Sequence, residues 1–448
     1  MKRLTILPAA LTFISMSVCA QALTVQKSKE LALQNSRAIK NGQLEVEAAR
    51  EVKKEAHTRY LPNASASVFG MQAINPLVEV DMPGGNLPVY DGNPANLPLA
   101  TQFAYFPGAH IGMFNQMGLG VVNVIQPVYA GNKIKTGNQL ATLNVEVKEQ
   151  QQKIQENDLL LRTEQQYWQV VTLQEKQRTL QDYGIFLDAM YKQVEDAYKA
   201  GVVIKNDLLK VQIAQSELKE KKSRLENGKK LALMQFAQTI GIRYDSAIVL
   251  EDELTVLSRP EAYYVPGEDA IRSRSEYHLL DKSIQAAELE YKMKKGDFMP
   301  QVGVGAAGYY LDQFESRQKG NVNGMVYASV SVPITDWLGG KHKLREQKIK
   351  TQIAENNRAE NIELLGLQVE KVWTDLKDSY EKILLLQETL EQANENLRVN
   401  QNGYNNGLIQ LSDLLEAQAI KVETEDKLTE AKSRYLTNIT NYLQVTGR

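Results

Sequence analysis

"YNNGLIQLSDLLEAQ", Tyr404–Gln418, has a near copy in "YKAGVVIKNDLLKVQ", Tyr198–Gln212. Six of the fifteen positions are identical: the tyrosine, glycine, aspartate, both leucines and the final glutamine. Gly201 and Gly407 are 206 residues apart, and the same offset relates Gln238 to Gln444, Gly241 to Gly447 and Pro127 to Pro333. A glycine followed by two apolar residues and a helical run reads as a turn between helices, with the glycine at positive φ. A chain that carries this twice at a fixed offset reads as two parallel halves.

The halves extend further towards the N-terminus. "RYLPNASASV" (Arg59–Val68) resembles "GDFMPQVGVG" (Gly296–Gly305), but Pro62 to Pro300 is 238 residues. The first half therefore holds 32 extra residues between Pro62 and Pro127. They carry Pro76, Pro83, Gly84, Gly85, Pro88, Gly92, Pro94 and Pro98, so residues 72–117 read as a long loop of low regular structure. The expected organisation is a signal peptide at 1–22, a first repeat at 23–241, a linker at 242–268 and a second repeat at 269–448.

Each half reads as helix, strand, loop, strand, long helix, turn, helix. The first helices are expected over Leu23–Tyr60 and Asp269–Asp297, and the long ones from about Asn132 to Ala200 and from Gly340 to Asn402. The final helices are expected over Asn206–Ile240 and Gln410–Leu443. In the second long helix, Leu365, Val369, Val372, Leu376, Ser379, Ile383, Leu386, Leu390, Ala393 and Leu397 alternate by four and three. Such a seam predicts coiled-coil packing with a left-handed supercoil. A helix of this length spans roughly 100 Å, and a short first and a short last helix stacked end to end would match it.

The strands are short and alternate. Ala64, Ala66 and Val68 oppose Ser65 and Ser67, while Leu119, Val121 and Ile125 share a face opposite Gln126. Val302, Val304 and Ala306 share a face, and Val326, Ala328, Val330 and Val332 oppose Tyr327, Ser329 and Ser331. This pattern fits a barrel wall, and equally a soluble sheet. Each strand–helix junction carries an aromatic (Tyr60, Tyr129, Phe298, Trp337) and a proline (Pro62, Pro127, Pro300, Pro333). Aromatics suit a membrane–water interface, the alternative being ordinary core packing. Proline ends strand pairing and redirects the chain. Four strands cannot close a barrel. Two copies of the chain give eight strands and a filled interior; three give twelve and a channel.

Bulk properties agree with an exported envelope protein. Lys2, Arg3, the apolar stretch Leu4–Val18 and Ala20-Gln21-Ala22 form a signal peptide, so the mature chain is expected to begin near Leu23. The alternative is lipidation at Cys19, the only cysteine. The mature chain would then have no thiol, hence no disulfide and no cysteine-metal site. A net charge of −2 gives no basic field for nucleic acid. No later run of about 18 apolar residues predicts a transmembrane helix, so a membrane crossing would need strands.

With these features in order, the sequence resembles the TolC family of outer-membrane efflux proteins. The resemblance is carried by "YLP" (Tyr60–Pro62), "QPVYAGNK" (Gln126–Lys133), "VPITDWLGGK" (Val332–Lys341) and the turns at Gly201 and Gly407. It covers essentially the whole mature chain. It implies a mainly α fold with a small β part. Long antiparallel coiled-coil helices would form a trimeric α-barrel, and four strands per chain would contribute to a 12-stranded transmembrane β-barrel. It further implies a homotrimer in the bacterial outer membrane, extending into the periplasm and closed at the periplasmic turns. Its implied partners are outer-membrane lipid, a periplasmic adaptor (membrane fusion) protein and an inner-membrane transporter. No cofactor and no catalysis are implied.

The resemblance also assigns roles. Gly201, Val202, Val203, Gly407, Leu408 and Ile409 would be the tips where an adaptor docks; without it they are ordinary hairpin turns. Asp413 and Glu416, three apart on one helix face, would join an acidic ring at the narrowest point, six carboxylates in a trimer. Such crowding raises carboxylate pKa values. On their own the two would read as a solvated charged face. Tyr404 and Asp207 match positions that link neighbouring helices closed. Ile409 stands where better-known members have an arginine, so the latch here has fewer polar links. Glu416 stands where the family commonly has Asp.

Other signals lead nowhere. Gly303–Gly308 matches G-x-G-x-x-G, but Pro300 precedes it and Tyr309-Tyr310-Leu311 continue the strand alternation. His57, His110, His278 and His342 lack metal-ligand spacing, and no nucleophile–base arrangement is visible. An export duct is the reading favoured; an adhesive or structural envelope coiled coil is the competing one.

Overall fold

The computed structural model describes residues 22–256, 258–313 and 320–448. Apart from Ala22, the expected signal peptide, with Cys19, lies outside them. In chain order the strands are β1 (Ala22–Leu23), β2 (Asn63–Gln72), β3 (Val78–Met82), β4 (Gly85–Pro88), β5 (Phe103–Phe106), β6 (Ala109–Met113), β7 (Gln116–Ala130), β8 (Val249–Leu250), β9 (Gln301–Gln313) and β10 (Asn321–Ser331). The helices are α1 (Val25–Asn35), α2 (Arg37–Thr58), α3 (Lys133–Lys199), α4 (Lys205–Thr239), α5 (Gly267–Arg272), α6 (Ser275–Gly296), α7 (Asp336–Asn405) and α8 (Leu411–Val445). The chain forms two compact units. One comprises residues up to Ala49, Asn144–Gln285 and Ile353–Arg448; the other comprises Arg50–Leu143 and Ala286–Gln352.

The first unit is helical. Its apolar core groups Tyr167, Val170 and Val171 of α3 with Phe236 of α4, Ala32 of α1 and Leu23, all almost fully buried. A second core groups Leu376 and Ile383 of α7 with Tyr435 and Tyr442 of α8. The heptad seam is on this buried side. Val369, Val372, Leu376, Ser379, Ile383, Leu386 and Ala393 are buried, and Leu365, Leu390 and Leu397 are half-buried. The polar member, Ser379, is satisfied: its Oγ donates to Leu376 O at 2.8 Å and accepts from Asn438 Nδ2 at 3.1 Å. Tyrosine hydroxyls anchor residues 242–268. Tyr167 donates to Leu23 O and Asp252 Oδ2, both at 2.8 Å, Tyr435 donates to Ser258 O at 2.6 Å, and Tyr442 accepts from Val265 N at 3.2 Å. Burial, foremost, raises the Tyr167 and Tyr435 pKa values, so both phenols keep their protons.

Two expected single helices are broken. The first divides at Ser36, where the backbone leaves helical geometry (ψ 128°), and Asn35 Nδ2 donates to Ile240 O at 3.2 Å. The other divides between α5 and α6, where Ser273 Oγ donates to Ala270 O and Thr446 O, both at 2.9 Å. In each case a side chain at the break reaches the last turn of a distant helix.

The second unit holds an antiparallel sheet in the order β10-β9-β7-β2. Its strands run 10 to 15 residues, longer than expected. Residues 72–117 are not the irregular loop that their prolines and glycines suggest. β3 pairs with β6 and β4 with β5, a ladder between β2 and β7 in sequence. Pro127 does not end its strand: it sits at a bulge, and β7 continues to Ala130. The Gly303–Gly308 run lies wholly within β9. Among the described residues, no helix is long and apolar enough to cross a membrane.

Candidate functional site

The two hairpin turns share one geometry. Gly201 has φ +74° and Gly407 φ +70°, a region that favours glycine. At the first, Gly201 N donates to Tyr198 O at 3.0 Å and Val202 N to Ala197 O at 2.9 Å. At the second, Gly407 N donates to Tyr404 O at 3.0 Å and Leu408 N to Gly403 O at 2.8 Å. Both pairs form the Schellman pattern that satisfies carbonyls at a helix end. Val202 and Leu408 then project outward, 77% and 78% exposed. The residues after them, Val203 and Ile409, are half-buried, so each tip presents one apolar side chain, not the expected pair.

Asp413 and Glu416 lie on the exposed side of α8, opposite the buried Leu411 and Leu414. Asp413 is also structural: Gln410 N donates to its Oδ2 at 3.3 Å, closing a capping box. Its counterpart at the 206 offset is Asp207, half-buried and ion-paired with Lys210 at 3.3 Å. Lys210 corresponds to Glu416 at the same offset. The first tip is therefore locally neutral and the second doubly acidic. That contrast was open to the offset comparison and was missed. Tyr404 is half-buried, and burial, then the Asp207 charge, raise its pKa. Among the described residues no hydrogen bond joins Tyr404 to Asp207 within one chain.

The sheet's two faces differ in chemistry. Directly opposed residues share a face, and the register places Ala64, Val124, Ala306 and Val326 in one row. Adjacent rows on that face add Ala66, Val68, Val122, Val304 and Val330. Between its ends this face carries no charged or amide side chain, yet Val68 is 89% and Val326 85% exposed. The other face carries Ser65, Ser67, Asn123, Asn323 and Ser329, and Tyr327 donates to Asn123 Oδ1 at 2.8 Å. Here one expectation is corrected. Leu119, Val121 and Ile125 lie on the face of Ser65 and Ser67, and Val122 and Val124 lie on the apolar one. β7 is apolar on both sides, so alternation alone assigned the wrong side. Three junction aromatics, Tyr60, Tyr129 and Trp337, are exposed, whereas Phe298 is half-buried against Gly340. Trp337 Nε1 donates to Phe298 O at 2.9 Å.

Residues 280–448 match the family described as outer membrane efflux protein. Solved structures match over 94% of this chain. VceC, an outer membrane protein of Vibrio cholerae, is 15% identical, with 96% of its chain covered and a TM-score of 0.73. The CmeC outer membrane channel of Campylobacter jejuni is 13% identical, with 85% covered and a TM-score of 0.75. The open state of the MtrE outer membrane channel of Neisseria gonorrhoeae is 13% identical, with 88% covered and a TM-score of 0.71. The chain has the outer-membrane efflux channel fold. No curated protein sequence matches. In this efflux-channel fold, the exposed apolar face and the two glycine tips are the features that a channel would use. Among the described residues, no group of three or more His, Cys, Asp or Glu could hold a metal ion.

Proposed function

We propose that the chain is a subunit of a homotrimeric outer-membrane export channel. Three four-stranded sheets close a twelve-stranded barrel, and the long helices form a periplasmic α-barrel. The observation that carries this reading is the β10-β9-β7-β2 sheet: one face is apolar and exposed, and both edge strands lack an outer neighbour among the described residues. Exposed apolar surface of this kind suits lipid, and unpaired edges suit completion by further copies. In this reading Tyr60, Tyr129, Phe298 and Trp337 mark the membrane interface. Residues 23–241 and 269–448 act as two repeats joined by 242–268.

The tips at Gly201–Val203 and Gly407–Ile409 meet a periplasmic adaptor, which connects the channel to an inner-membrane transporter. Asp413 and Glu416 narrow and acidify the tip, and a Tyr404–Asp207 link contributes to closure. A hydrogen bond of this type is worth about 1.5–3 kcal/mol. The channel itself conducts, and the energy for export comes from the transporter.

Outer-membrane fractionation, heat-modifiable gel migration and conductance in planar bilayers test the reading. A monomer that inserts nowhere would remove it. Tyr404→Phe combined with Asp207→Ala is expected to raise single-channel conductance; unchanged conductance would count against the latch.

A further inference from the structure

Within the helical unit, α3 is flanked on two sides. α4 packs on it through Phe236 against Tyr167, with ring centroids 5.9 Å apart. α8 packs on it along an antiparallel seam. Gln444 Nε2 donates to Asp158 Oδ1 at 3.0 Å, Ser433 Oγ to Trp168 O at 3.4 Å, and Lys176 Nζ to Glu430 Oε1 at 2.5 Å. Val422 shares a core with Leu180 and Tyr183, and Leu411 one with Met190 and Val194.

The 206-residue offset carries α4, Lys205–Thr239, onto α8, Leu411–Val445, end for end, both with 35 residues. It also carries Lys199, the last residue of α3, onto Asn405, the last of α7. The counterpart of the α3–α8 seam is thus a seam between α7 and α4. One chain does not make it: among the described residues no hydrogen bond or ion pair joins α7 to α4. Instead α7 exposes Leu364, Leu367 and Leu385, and α4 exposes Ile213, Leu231 and Met234.

We infer that a second copy of this chain completes that seam, its α4 lying antiparallel on α7 in the register that the in-chain seam dictates. The inference rests on the assembly proposed above and adds its register. Asp158–Gln444 maps to Leu364 facing Gln238 of the partner subunit, and Trp168–Ser433 to Thr374 facing Asn227 of the partner subunit. Lys176–Glu430 maps to Lys382 facing Arg224 of the partner subunit. An ion pair inside the chain becomes two like charges between chains. At this level the boundary between copies is the weaker of the two seams, so widening of a helical tube begins there.

The full-length chain, with no cysteine after Cys19, suits disulfide trapping. Asn227→Cys with Thr374→Cys is expected to give, on oxidation, covalent species up to three chains on a non-reducing gel. Reductant should return them to monomer, and each single variant should stay monomeric. A trimer by native mass spectrometry that the pair fails to cross-link overturns this register and leaves the proposed function standing. Single variants that cross-link with themselves also overturn it. A monomer by native mass spectrometry overturns both.

Arg224→Glu is the second arm, should the cysteine pair not fold. It places a second carboxylate one turn from Glu220 on the same helix, which alone would destabilise. A raised temperature of trimer dissociation, cancelled by Lys382→Glu in the same chain, supports the register; a lowered or unchanged one overturns it.

Discussion

Asp426 shows how one side chain can set a pH dependence. Its Oδ1 is buried without a hydrogen-bond partner on α8, where Lys176 is already bonded to Glu430. Burial is the largest influence and raises its pKa; Glu430 and Glu425 add to this, while Lys176 and Lys221 oppose it. A carboxyl whose folded pKa is raised binds its proton more tightly in the folded state. Its contribution to stability is present at low pH and is lost as pH rises from the ordinary carboxylate range through the folded value. Asp426→Asn is therefore expected to raise Tm at pH 7 and to have little effect near pH 3, measured by thermal unfolding across that range. The tip glycines allow a second measurement. Gly407→Ala forces an L residue into φ near +70°, at a cost of about 1–2 kcal/mol, readable as a lower denaturation midpoint. The two residues are not equally visible in sequence. Gly407 announces itself by its repeat at Gly201, whereas Asp426 looks like any surface aspartate until α3 is packed against it.

At the scale of elements, the legible features were those that local chemistry decides. The ends of α4 and α8 follow from the glycines, and the buried side of α7 follows from its four-three spacing. What sequence did not give is what distant chain decides. Ser36 breaks a helix with no proline or glycine nearby, because Asn35 is drawn to Ile240 O. The face of β7 could not be read because Val121, Val122, Val124 and Ile125 supply apolar side chains to both sides, and only its register with β2 and β9 separates them. The ladder of β3 to β6 was hidden by prolines that sit at or beside its turns. The face assignment makes a prediction. Val326→Arg on the apolar face is expected to cost about 2–4 kcal/mol near a bilayer midplane, seen as a loss of heat-stable oligomer. Ser329→Arg, on the opposite face, is expected to leave assembly intact and to alter ion selectivity.

At the scale of the whole molecule, one consequence follows from the two open rims of the sheet, β2 and β10. In hydrocarbon each bare backbone N–H or C=O costs several kcal/mol, and a rim presents a row of them. A solitary chain is thus excluded from the bilayer, and insertion and encounter become a single kinetic event. The rate at which a protease-resistant product accumulates on liposomes should climb more steeply than in proportion to the amount of polypeptide supplied. Such a chain also spends its early life with adhesive borders uncovered, a period in which dilution delays maturation and crowding invites aggregation.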